Sequence, residues 1–89
     1  MKKVINWNSA KNEILKKDKA RGGVCFEDCV SLIEDGYILM QFPHPSRENQ
    51  NIFVLNIKDY TYCVPYIEND TEIFLKTIFP ARKFKYLIT

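Results

Sequence analysis

The chain is short of the residues that metal and redox chemistry require. It has one histidine, His44, so a zinc shell would need carboxylates or a second chain to complete it. Its three cysteines, Cys25, Cys29 and Cys63, cannot all pair within one chain. Cys25 and Cys29 are four apart, a spacing that suits neighbouring helical turns and not the C-x-x-C of metal or redox sites. Reduced thiols behaving as small hydrophobes are the expectation. No cofactor and no metal site are expected. No apolar run approaches the roughly 20 residues needed to cross a bilayer. Met1-Lys2-Lys3-Val4-Ile5-Asn6 turns polar too soon for a signal peptide. These absences point to a soluble cytoplasmic protein without a membrane contact. Repeats, low-complexity tracts and linkers are also missing.

What is present is an ordinary globular balance, 46% hydrophobic and 27% charged residues in 89. That length allows one domain, 1–89, with one core. Aromatic residues at 13% let a few large side chains fill it. The net charge of +2 hides a segregation. Residues 1–24 carry seven basic and two acidic side chains, residues 25–75 two and nine, and residues 76–89 four and none. If the basic ends meet in space they form one positive surface suited to a polyanion.

Periodicity sets the element order. Val4–Trp7 reads as a first strand with Trp7 as core anchor. Asn8 or Ser9 caps a charged helix over Ala10–Lys17. Its Lys11, Lys16 and Lys17 face solvent or ligand. Arg21-Gly22-Gly23 breaks the chain. Phe26, Cys29, Val30 and Ile33, at i, i+3, i+4 and i+7, mark a second, core-facing helix that Gly36 ends. Tyr37–Phe42, Ile52–Ile57, Tyr60–Ile67 and Glu72–Phe79 read as strands, the middle two joined by the tight Lys58-Asp59 turn. Pro43-His44-Pro45 closes the first of these and Pro80 stops the last. Pro65 calls for an edge position or a bulge. The pattern β-α-α-β-β-β-β plus a short basic tail predicts an α+β fold, two helices against one face of an antiparallel four-stranded sheet.

Several of these segments are similar to one family. Trp7-Asn8-x-x-Lys11-Asn12, followed by Leu15-Lys16, resembles the W-D-x-x-K-x-x-x-N-x-x-K opening of BrnT toxins. Gly23-Val24-Cys25-Phe26-Glu27-Asp28 resembles their G-[VI]-[ST]-F-E-[ED] junction, with Cys25 where a capping serine or threonine usually stands. Phe74-Leu75-Lys76-Thr77-Ile78 and Ile78-Phe79-Pro80-Ala81-Arg82-Lys83 are similar to the segment leaving the last strand. The resemblance spans nearly the whole chain. It implies a RelE-like ribonuclease fold, metal-free RNA cleavage by attack of a ribose 2′-hydroxyl on its own phosphate, and a ribbon-helix-helix antitoxin of the BrnA kind. Operator DNA would be met only through that antitoxin.

Candidate site residues follow from chemistry and position. Arg82, just past the last strand, offers a planar fork of donors to phosphate. Lys76 is a charge inside an apolar strand and must either emerge on an open face of the sheet, where RNA would lie, or find a buried partner. His44 is the side chain suited to proton transfer near neutrality. Lys83, Lys85, Lys11 and Lys16 are expected as phosphate contacts. Tyr60, Tyr62 and Tyr66 share one side of a strand and read as packing more than as base-stacking platforms. Two functions compete: a ribonuclease toxin, and a catalytically weak module that binds the antitoxin and joins it on operator DNA. Growth arrest on overexpression, relieved by Arg82→Ala, separates them.

Overall fold

The computed structural model describes residues 3–89, apart from the side chain of Arg21. The polar start at Met1-Lys2 lies outside the described residues. Strand β1 (Val4–Trp7) leads into helix α1 (Ser9–Lys17), a 3₁₀ turn (Lys19–Arg21) and helix α2 (Glu27–Glu34). Strands β2 (Met40–Pro43), β3 (Asn51–Ile57), β4 (Tyr60–Glu68), β5 (Glu72–Leu75) and β6 (Phe79–Pro80) follow, then a 3₁₀ helix (Arg82–Leu87). The α+β class matches the expectation, but the sheet has six strands where four were expected, because β1 joins it and the last strand divides in two. Among the described residues no helix is long and apolar enough to cross a membrane.

The sheet is mixed and not purely antiparallel. Its order is β1-β5-β4-β3-β2, with β6 beside β4. β1 lies parallel to β5, Val4 opposite Glu72 and Trp7 opposite Leu75. The two helices that follow β1 form a connection long enough to seat it in parallel, which a tight hairpin forbids. The expected hairpin joins β3 to β4, with Lys58 and Asp59 both at positive φ (54° and 65°) as a type I′ turn requires. β2 begins only at Met40. Tyr37 is 68% exposed and belongs to the helix terminus instead. There Gly36 (φ 79°) donates to Ile33 O and Tyr37 donates to Leu32 O, closing α2 with a Schellman motif.

Pro65 sits in a central strand, and the bulge it requires falls in its neighbour. The two-residue turn makes Ile57 and Tyr60 a hydrogen-bonded pair. Alternation along the ladder then turns the nitrogen of Pro65, opposite Ile52, away from β3 and toward the last strand. That position has no N–H to offer. Leu75 pairs with Tyr66 but Phe79 pairs with Cys63, so Lys76, Thr77 and Ile78 oppose Val64 and Pro65 alone, one residue in excess. The strand expected over Glu72–Phe79 is therefore broken in two. Pro80 belongs to the second piece, on an edge where its missing donor costs nothing.

Both sheet faces are covered. Leu15 of α1 and Phe26, Cys29 and Ile33 around α2 pack on Phe53, Leu55, Tyr62, Val64, Tyr66 and Leu75. Each such side chain, fully buried, stabilises the fold by about 1.5–3 kcal/mol. Tyr66 stacks on Phe53 with centroids 3.8 Å apart, so the tyrosines at 62 and 66 serve the core as expected. Trp7 is only half-buried and stacks on the enclosed Phe26 at 5.9 Å; Phe26 is the anchor and Trp7 its outer lid. The second face, expected to be open, is partly closed by the C-terminal 3₁₀ helix, whose Phe84 and Leu87 pack over Ile52, Val54, Cys63 and Ala81. No disulfide forms; Cys25 is half-buried, Cys29 and Cys63 are buried, and burial pushes all three thiols up.

The start of α2 is capped from a distance. Cys25 supplies no side-chain cap, but its N–H donates to the Asp28 carboxylate (3.0 Å). Asn12, buried on α1, accepts the Phe26 N–H (2.8 Å) and donates to Glu27 Oε1 (2.7 Å). The Asn12 hydrogen bond, followed by that of the Cys25 thiol and by the attraction of Lys16, holds the Glu27 carboxyl down at about 2 against an ordinary 4.5. A depressed folded pKa contributes stability above the unfolded value and loses it as pH falls through the folded one. The contribution is thus whole above about 4.5 and gone by about 2. Urea midpoints measured at both ends of that window should fall less for Glu27→Gln than for the wild type; equal falls would show that Glu27 is not the titrating group.

Candidate functional site

The loop after β2 is built to hold one imidazole still. His44 N–H donates to Gln50 O (2.9 Å) and Gln50 N–H to Arg47 O (3.2 Å), closing the loop on itself. Ser46 N–H donates to His44 Nδ1 (3.1 Å), with Ser46 Oγ 3.4 Å from the same nitrogen. An Nδ1 that accepts cannot carry the proton, so the neutral ring keeps it on Nε2. His44 is thereby set as a hydrogen-bond donor, which narrows the proton-transfer role expected of it.

The bulge supplies the facing wall. Lys76 N–H donates to Pro65 O (2.8 Å), which anchors the bulge to β4 while the Lys76 side chain stays exposed. Its ammonium lies 5.5 Å from the Phe74 ring centroid. His44, Arg47, Gln50, Pro65, Lys76, Thr77 and Phe79 line one open groove of about 340 Å³. Phe79 also packs into the cluster under the C-terminal 3₁₀ helix, so the groove lies on the sheet face away from α1 and α2. His44, Arg47 and Lys76 are all among its lining residues, and among the described residues no carboxylate lines it. Such a site favours an anion. Among the described residues no group of three His, Cys, Asp or Glu is placed to hold a metal ion.

The other expected site residues lie elsewhere. Arg82 is exposed at the start of the 3₁₀ helix, its base pinned where Ala81 N–H donates to Thr61 O (2.9 Å) and Thr61 Oγ1 donates to Ala81 O (2.7 Å). It is not among the groove residues. The Lys83 ammonium lies over Phe84 (5.2 Å) and that of Lys85 over Tyr60 (5.0 Å). Lys11 and Lys16 belong to α1 on the opposite face, and Lys16 is engaged by Glu13 (3.3 Å) and Glu27 (3.6 Å). It does not simply face solvent. Arg47 was missed by sequence reasoning. Its signal was there: residues 25–75 hold only two basic side chains, and one falls three positions after the lone histidine.

The fold therefore defines an α+β domain with a mixed sheet, two helices on one face and a cationic groove on the other. No family model, curated protein or solved structure matches this chain.

Proposed function

We propose that this chain is a metal-independent endoribonuclease of the RelE-like kind, the toxin of a toxin–antitoxin pair, acting on single-stranded RNA in the groove of His44, Arg47 and Lys76. The observation that carries the proposal is that these three donors line one groove, with no carboxylate among its described lining residues, on the sheet face away from α1 and α2. Cleavage needs little from the protein beyond positioning and charge. The ribose 2′-oxygen attacks the adjacent phosphorus, the bond to the 5′-oxygen breaks, and a 2′,3′-cyclic phosphate and a 5′-hydroxyl result. The 2′ proton leaves to solvent, and solvent protonates the 5′-oxygen. Negative charge grows on the non-bridging oxygens, where Lys76, the Arg47 fork and the His44 Nε2–H act as fixed donors. A groove lined by cations repels a divalent ion. Cleavage of total RNA should therefore survive EDTA and weaken as salt screens the phosphate contacts. Activity abolished by chelation and restored by a divalent ion would overturn the mechanism.

An antitoxin belongs to the same proposal, inhibiting by covering the groove. An antitoxin seated there leaves α1 uncovered, because that helix lies on the opposite face with Lys16 held by Glu13 and Glu27. Growth arrest on overexpression, relieved by Lys76→Ala, distinguishes the enzyme from a module that merely binds its partner.

A further inference from the structure

The two basic ends of the sequence meet at the hairpin end of the sheet. Ala20 and Gly22, from the turn after α1, face Tyr60, Tyr62 and Pro80 across an open recess of about 290 Å³. Lys85, from the acid-free end of the chain, holds its ammonium 5.0 Å from the Tyr60 ring centroid. Exposed Lys19 and Lys58 adjoin the recess in sequence, against Asp18 and Asp59 on the same two segments. Among the described residues the lining itself carries no charge. We infer that this recess is a base-stacking subsite for single-stranded RNA, with Tyr60 as the platform and Lys85 as the phosphate contact. The inference rests on the ribonuclease reading and gives the substrate a second point of attachment outside the cleavage groove.

Four features support it. Tyr62 is buried, but Tyr60 is half-buried, and the two rings meet edge to face (5.8 Å, 68°), so the Tyr60 ring is braced by Tyr62. The exposed Lys85 ammonium lies over this ring, and turning it onto a strand's phosphate bares the ring face for any base, because every base has a π-face. The recess is at the lower end of ligand-pocket volumes and fits one ring system. Gly22 keeps its far wall thin: it sits at φ 77°, and a Cβ there would lie 2.9 Å from Tyr62 Oη. Lastly, β6 connects the two sites. Phe79 lines the cleavage groove and its neighbour Pro80 lines the recess, and β6 pairs with β4 alone. The two sites are thus joined through adjacent residues of one two-residue strand.

The test is fluorescence anisotropy with a short single-stranded 2′-O-methyl RNA, which cannot be cleaved because its 2′-oxygen is blocked. An abasic strand of the same length serves as comparison. The wild type should bind the base-bearing strand more tightly than the abasic one, Tyr60→Phe should keep that preference, and Tyr60→Leu should lose about 5- to 150-fold in affinity for the base-bearing strand only. Lys85→Ala should weaken both strands and lower the slope of log affinity against log salt by about 0.7. Equal wild-type affinity for the two strands, a result that needs no variant to fold, overturns the subsite. If Lys76→Ala still weakens binding in that case, the ribonuclease reading survives. Failure of the wild type to bind either strand overturns both.

Discussion

Replacing Lys76 with alanine is expected to slow RNA cleavage about 10²–10³-fold, the loss typical of removing one preorganised donor from a developing oxyanion. Lys76 is exposed and stands in a bulge whose anchor is its backbone N–H on Pro65 O, so its side chain can go without disturbing the ladder. Stability should change by less than about 0.5 kcal/mol. Arg47→Ala should act in the same direction. Arg82→Ala should act mainly on RNA affinity, because Arg82 lies outside the groove. Single-turnover kinetics on a defined RNA separate the two effects. Full activity in Lys76→Ala, or a loss confined to Arg82→Ala, would move the reacting phosphate toward the C-terminal helix.

Phe26→Ala is expected to cost the fold about 3–5 kcal/mol. The ring is 0% exposed, packed among the α1, α2 and sheet side chains under the half-buried Trp7. For a chain of this size that loss lowers the melting temperature by roughly 12 °C or more. Trp7→Ala should cost less, because part of its ring already meets water. Thermal unfolding of the two variants side by side decides the matter; a larger loss for Trp7→Ala would make the tryptophan the anchor after all. Asn12→Ala should also destabilise, by about 1–3 kcal/mol, since it leaves the Phe26 N–H without its acceptor.

The role of Asn12 shows where reading along the chain stops. In a charged helix an asparagine reads as surface, and the position carries apolar partners too few to define a buried stripe. Only the approach of α2 makes it the remote cap of that helix. Lys16 is similar: its charge was legible, its engagement with Glu13 and Glu27 was not. Arg47 was visible as a base in an acidic stretch. Its meeting with Lys76, 29 positions on, depends on the hairpin and on the bulge opposite Pro65.

Local signals settled what local physics controls. A cap at Asn8 or Ser9, the apolar spacing of α2, the glycine that ends it, the tight Lys58-Asp59 turn and an edge position or bulge at Pro65 all follow from contacts or dihedral limits within a few residues. They determined the α+β class and the order of elements as far as the last strand. The parallel seat of β1, the breaking of the last strand, the covering of the second face and the pairing of groove with recess across β6 were decided by tertiary structure alone. Each depends on which distant segments share the limited apolar surface of one sheet, and that competition leaves no periodic trace in the chain.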